Sequence, residues 1–500
     1  MKIIDLLTTQ RSNIKTALTS GNQSISYKDL YKKVTEIADI ISQVSDNIKN
    51  VGIFINNSIN YVVAYFAICY LDKIIVPIDP KERGIGLVNN IEYCELSLII
   101  SDTKNLLWLK NGFNRFPFSV VVFNIDNFSF EKMGGVKEFS NIYEEVTDAA
   151  LMLHTSGSLS LPKRVLLTNS NLISCTESII KSLSLTADDI TLVALPMFLA
   201  SANTSQLLTH FYLGASIVIM DSVFTSKYFF YLVNKHKITN FTGVPYMMLS
   251  LLESEKLKIQ DISSLRFICF GGAPTPKERI IAIMELFPKI NFIHMYGQTE
   301  ASTRITHLLP ADSKTKAGSV GKPIPQVELR VIDSVGRDVG CNEVGEIIIK
   351  GPNVMRCYYK RSIETALTLI DGWLYTGDMG KMDEDGFLYI VGRKKNVIIR
   401  GGMNIYPEEI EEIILRHKVV KEVCVYGEYS ERLGEVPIAS IVLRDTEDLV
   451  TEDDLKLFCF HNLASNKIPE RFEFISKLQK TASGKVVRNT KGGYKNEHKC

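Results

Sequence analysis

Short stretches that are almost wholly apolar recur through the first two-thirds of the chain, at 51–55, 74–78, 96–100, 120–123, 217–220 and 267–270. A strand with one wet face alternates apolar and polar residues. A strand apolar throughout is covered on both faces, as in a parallel sheet flanked by helices. Helix-length segments lie between several of these runs, for example 60–70 and 277–286. The alternation predicts α/β layers built on parallel sheets. Residues 61–71 form the longest strongly apolar run. It falls well short of the about 20 residues that span a bilayer, so it reads as a buried helix and no membrane span is expected.

The pattern changes near residue 320. Runs at 327–332, 345–350 and 386–391, with turn residues such as Asp383-Glu384-Asp385-Gly386, predict antiparallel strands. A second change follows Arg393-Lys394-Lys395-Asn396, and a helix is expected to start at Pro407-Glu408-Glu409. Proline is tolerated in a first helical turn and acids favour the positive end of the helix dipole. The 500 residues exceed one core at roughly 100–200 residues per domain. The expected organisation is a large N-terminal domain, 1–395, of α/β layered subdomains plus a small β-rich subdomain at about 320–395. A small, mobile α+β C-terminal domain follows at 396–500.

Lysine plus arginine number 57 and aspartate plus glutamate 56. Such balance gives no global attraction to nucleic acid or to an acidic membrane. The nine cysteines are odd in number and never two residues apart, against a disulfide framework or a zinc site. The N-terminus, Met1-Lys2-Ile3-Ile4-Asp5, lacks a secretory pattern. A cytoplasmic protein is expected.

Five segments carry polar chemistry. His154-Thr155-Ser156-Gly157-Ser158, running on to Lys163 after an apolar run, offers hydroxyls, a flexible backbone and a cation to an anion such as phosphate. It is not a Walker loop, and a polar surface turn reads as well from the string alone. Gly271-Gly272-Ala273-Pro274 closes an apolar strand, where small residues admit a flat ligand or simply make a turn. Tyr296-Gly297-Gln298-Thr299-Glu300 combines an aromatic that can stack on a base, a hydroxyl for phosphate and a hard oxygen ligand for Mg²⁺. Asp378 can accept two ribose hydroxyls, and Arg393 can add donors nearby. Lys480-Thr481-Ala482-Ser483-Gly484-Lys485 puts a lysine on a glycine-containing loop near the C-terminus.

Together, and in this order, these segments resemble the adenylate-forming acyl-CoA synthetase superfamily, which includes acyl- and aryl-CoA ligases, peptide-synthetase adenylation domains and firefly luciferase. The run from Gly392 to Glu411 is its most specific part. The resemblance implies ATP-dependent activation of a carboxylic acid to acyl-AMP, then transfer to a thiol, most simply CoA. Thr155, Ser156, Gly157, Ser158 and Lys163 would hold phosphate. Gly272, Ala273 and Pro274 would form the adenine shelf, with Tyr296, Gly297 and Gln298 beside the base. Thr299 would contact phosphate and Glu300 would hold Mg²⁺. Asp378 and Arg393 would bind ribose. Lys395 would be the hinge, Lys485 the lysine that supports adenylation, and Gly401 and Gly402 the lining of the thiol tunnel. Leu199, Ala200, Ser201 and Gly243 would line the acyl pocket.

The sequence also departs from the family pattern. In the phosphate loop Leu159 replaces a hydroxyl, Ser160 a glycine and Arg164 the glycine after lysine; Ser160 would restore a donor and Arg164 would add charge. Leu199 stands where many relatives have histidine. Ala200 stands where α-amino-acid enzymes have an aspartate, so an ordinary α-amino acid is not expected, because its buried ammonium would be unpaired. Arg304 reads either as a surface charge or as a partner for a second substrate carboxylate. Two other functions compete with a CoA ligase: a ligase that loads the phosphopantetheine arm of a carrier protein in trans, and a degenerate nucleotide binder without turnover. Nothing points to luciferase-like oxygenation.

Overall fold

The computed structural model describes residues 1–500 except 45–46, 113–115, 140–146, 156–162, 253, 255–260, 274, 445–449, 481–485 and 489–500. Ser156, Gly157, Ser158, Leu159, Ser160, Pro274 and Lys485 therefore lie outside the described residues.

Two large sheets dominate. In the eight-stranded sheet, Ala149–His154, Ile74–Pro77, Asn50–Phe54, Leu98–Ser101 and Ser119–Asn124 run parallel in that order. The nine-stranded sheet has a parallel centre of Asn291–Tyr296, Phe267–Gly271, Asn240–Gly243, Ile190–Val193, Ser216–Ile219 and Thr16–Ser20. The apolar runs of the sequence are these central strands, and both faces of Asn50–Phe54 and Phe267–Gly271 are buried. Antiparallel strands close the edges. The helix Ile59–Tyr70 is buried from Tyr61 to Ile68 in one core and is capped by Ser58, whose hydroxyl accepts the Tyr61 amide. Phe66 packs against Phe211 with ring centres 4.6 Å apart. Among the described residues no helix is long and apolar enough to cross a membrane.

Beyond residue 320 the sheets become antiparallel, as expected. Glu328–Ile332, Gly345–Lys350, Trp373–Met382 and Leu388–Arg393 form one small sheet. After the single turn Lys394–Asn396, a separate five-stranded sheet is built around Val420–Ser430 and Gly434–Leu443. The helix Pro407–Ile414 packs on it, with Pro407 in its first turn. This sheet has its own apolar core, including Ile398, Ile410, Val425 and Leu455. Every described cysteine is free.

Burial leaves His154, His210 and His294 with pKa values held down to about 4. The unfolded chain binds those protons from pH 6.5 downwards while the fold refuses them, so the stability these rings contribute is present above about pH 6.5 and is lost as pH falls towards 4. Glu411, raised to about 7 by burial, works in the opposite sense over part of this range, while His307, which burial holds well below its usual range, adds to the three rings. Urea midpoints should fall from pH 7.5 to pH 5, each imidazole contributing up to about 1.4 kcal/mol per pH unit inside its window. His210→Gln should flatten that slope; an unchanged slope would mean the ring protonates as it does in water.

Candidate active site

A cleft of about 2890 Å³ opens between the large sheets and the C-terminal unit. Its walls collect most of the predicted residues: Thr155, Lys163, Leu199, Ala200, Ser201, Gly243, Gly272, Ala273, Tyr296, Gly297, Gln298, Thr299, Glu300, Asp378, Arg393 and Lys395.

The best-ordered unit centres on Asp378. It sits within the strand Trp373–Met382, directly across the ladder from Arg393, the last residue of its own strand. Arg393 Nε lies 2.6 Å from Asp378 Oδ1, and Tyr296 Oη donates to Oδ2 at 2.6 Å. Tyr296 ends a strand of the nine-stranded sheet, so the carboxylate joins two sheets. Burial, and then the negative Asp378, hold the Tyr296 hydroxyl well above its usual range, so it remains a donor. The Asp378 amide donates to Thr376 Oγ1 at 3.1 Å, and that hydroxyl donates to the Ile347 carbonyl. An ionised, oriented acceptor beside a guanidinium and an aromatic ring suits a ribose and its base.

The turn after Tyr296 is sterically determined. A Cβ on Gly297 would stand 1.8 Å from the Thr303 carbonyl, so only glycine lets the chain fold back there. The next turn, Thr299–Ala301, presents Glu300. Its Oε1 accepts a 2.9 Å hydrogen bond from Tyr358, whose ring lies 4.5 Å under Lys163 Nζ. The Thr155 amide donates to the Lys163 carbonyl at 3.1 Å and closes the base of the loop between them. Tyr358 was not singled out in the sequence, because a tyrosine in a two-residue strand carries no pattern. Desolvation of its ammonium, then Arg393 and Lys163, hold the pKa of Lys395 below the usual lysine range. Three cations thus face one region, an electrostatic setting for phosphate. Glu300 forms no protein hydrogen bond through Oε2 among the described residues. One carboxylate oxygen near a phosphate site fits Mg²⁺, which is normally held by one or two carboxylates plus substrate phosphates. The described residues contain no cluster of three or more metal-ligating side chains.

Two expectations change, those for Arg164 and for Arg304 as a surface charge. Arg164 adds no charge to the cleft. It is fully buried, donating to the Pro77 carbonyl at 3.2 Å and to Asn90 Oδ1, because the strand Arg164–Thr168 turns this side chain away from Lys163. Gly401 and Gly402 do not line the cleft. They form an exposed two-residue hairpin turn between Arg400 and Met403, with φ of 55° and 82°, the both-positive geometry that glycine favours. Arg304 is not a surface charge but is buried. Lys485 is not described, but its flanking residues Lys480 and Val486 bridge each other and both line the cleft. Just beyond, Arg488 donates to Glu408 at 2.7 Å and to Glu411, tying that end of the chain to the helix Pro407–Ile414.

Parallel sheets with a nucleotide-shaped polar cleft at their strand ends, roofed by a small second unit, define an adenylate-forming enzyme fold. Residues 8–359 match the family described as AMP-binding enzyme, residues 409–485 match the AMP-binding enzyme C-terminal domain, and the chain belongs to this family. It is 31% identical over 477 residues to the 2-succinylbenzoate–CoA ligase of Bacillus cereus (strain ATCC 14579), covering 95% of this chain and 94% of that one. It is 36% identical over 351 residues to the long-chain-fatty-acid–CoA ligase of Bacillus subtilis (strain 168), covering 68% of this chain and 61% of that protein. The O-succinylbenzoate coenzyme A synthetase of Bacillus subtilis in complex with AMP superposes with a TM-score of 0.86 at 28% identity, over 98% of both chains. Its complex with ATP and a magnesium ion gives 0.84 at 29% identity, over 97% of this chain and 98% of that one.

Asp378→Ala should weaken ATP binding by about 10–100-fold, the usual cost of losing charge-assisted hydrogen bonds. Isothermal titration with a non-hydrolysable ATP analogue checks this. Affinity within twofold of the parent would remove Asp378 from the nucleotide site.

Proposed function

We propose that this protein is an AMP-forming acid–CoA ligase. The observation that carries this reading is that one cleft holds the Asp378–Arg393–Tyr296 unit, the Glu300–Tyr358–Lys163 unit and the lining of Leu199, Ala200, Ser201 and Gly243. We assign the first to ribose and base, the second to phosphates and the third to the acid. The named relatives support CoA as the thiol; none of those compared is named for a carrier protein.

A free carboxylate is a poor acyl donor because its leaving group would be oxide or hydroxide. Attack of a carboxylate oxygen on the α-phosphorus of ATP forms a C–O–P anhydride and expels pyrophosphate. A thiolate then attacks the acyl carbon, and AMP leaves with the former carboxylate oxygen. The protein must mainly position reactants and neutralise charge. Lys163, Arg393 and Lys395 supply fixed positive charge, and Asp378 fixes the nucleotide's orientation. Glu300 would hold the Mg²⁺ that accompanies ATP, and that ion would supply further neutralisation. We assign Lys485 to the adenylation step and Lys395 to the pivot between a unit of 1–395 and one of 396–500. Rotation there would exchange one wall of the cleft between half-reactions and bring Gly401 and Gly402 towards the thiol. Free cysteines and a balanced surface charge suit a cytoplasmic setting.

Pyrophosphate release from MgATP against a panel of carboxylic acids, with and without CoA, tests the reading. Release that needs one acid class, followed by its CoA thioester, is expected. Acyl-AMP that persists with CoA would point to a carrier as acceptor, and silence across the panel with ATP bound would reject turnover. Lys485→Ala should abolish acyl-AMP formation while thiolysis of supplied acyl-AMP survives. Lys395→Pro should spare adenylation and slow thioester formation; equal effects on both steps would refute the two-conformation scheme.

A further inference from the structure

Arg304 is 3% exposed, yet among the described residues it faces no carboxylate. Its only side-chain hydrogen bond there runs from Nη2 to Ser205 Oγ at 3.2 Å, and Nε has no partner. A buried guanidinium normally sits beside an acid, because its desolvation is otherwise uncompensated. The titratable groups that face it do not compensate either: burial raises the thiols of Cys175 and Cys269 to about 12 and holds His307 well below its usual range, so all three stay neutral.

The surroundings are unusual in the same way. Ser205 lies in the six-residue π-helix Asn203–Leu208, whose polar residues are all buried. Among the described residues, Asn203 Nδ2, Thr204 Oγ1 and Gln206 Oε1 in that helix, and Ser201 Oγ just before it, have no hydrogen-bond partner. Buried polar groups are ordinarily paired, and π-helical segments collect at functional sites. The backbone that aims Arg304 is strained too. Ser302 and Thr303 precede it with φ of 53° and 102°, and the second value is costly for a β-branched residue. Arg304 and Ser201 both line the cleft, with Leu199, Ala200 and Gly243.

We propose that Arg304, held by Ser205 of the π-helix and accompanied by Ser201 in the lining, forms an anion subsite at the acid end of the cleft, and that the substrate is a dicarboxylic acid whose second, non-reacting carboxylate pairs with this guanidinium. The proposal rests on the ligase reading given above. It places the missing counter-charge on the substrate, so an acid ending in a methyl group leaves a buried cation unpaired and binds poorly.

The test uses the full-length protein and matched acids, aliphatic and aromatic, with and without a second carboxylate. Pyrophosphate release should favour the diacid by roughly 100-fold in kcat/KM, the order expected for a site left with an unpaired charge. Arg304→Met should reduce that preference towards one, and Arg304→Lys should restore part of it. Since removing a buried unpaired cation is often neutral or stabilising, Arg304→Met should melt no lower than the parent. Thermal shift with diacid alone separates binding from turnover: the parent should be stabilised and Arg304→Met should not. Equal use of both acids by the parent, or no diacid-dependent shift, overturns the subsite. Equal loss on both acids in Arg304→Met also overturns it, since that assigns Arg304 to the reacting carboxylate or to the fold. A diacid-dependent shift without pyrophosphate release would reject the ligase reading and keep the anion subsite.

Discussion

The Asp378 carboxylate is held between Arg393 Nε and Tyr296 Oη, each at 2.6 Å, and the arrangement of the cleft follows from that grip. One partner belongs to a small antiparallel sheet and the other to the end of a parallel one. A single charged acceptor therefore fixes how two independently built layers meet. Because Asp378 and Arg393 face each other across a ladder, their separation is set by backbone hydrogen bonds rather than by flexible side chains. The turn that presents Glu300 begins three residues after Tyr296, so Glu300 inherits its position from the same contact.

Much of this was legible in the chain. Runs almost wholly apolar became the doubly covered central strands, since burial on both faces removes any reason to alternate. Pro407 and its following acids marked a helix start for local reasons that tertiary packing did not override. The described residues of the five polar segments line one cleft. Direction was not legible. Lys163 and Arg164 are neighbours, but a strand sends alternate side chains to opposite faces, and one residue's offset buries the arginine beneath the sheet. Gly401 and Gly402 read as a ligand-lining turn, but the same two glycines also satisfy a tight hairpin. Tyr358 contributes through its neighbours in space, and no spacing announces that.

Arg304 illustrates a different limit. Composition treats arginine as a surface residue, and most are. What marks this one is the company of buried hydroxyls and amides without partners, which only coordinates reveal. The fold tolerates a cost there that a larger apolar core would have removed, and such costs tend to persist where chemistry uses them.

Arg393 is the last residue of its strand, and the turn Lys394–Asn396 begins at the next residue. If that turn is the swivel, the ribose clasp lies wholly on the stationary side. An acyl-AMP anhydride is prone to attack by water. It would keep its anchor while the opposite wall is exchanged, so custody of the intermediate and motion of the lid are separated by one peptide bond.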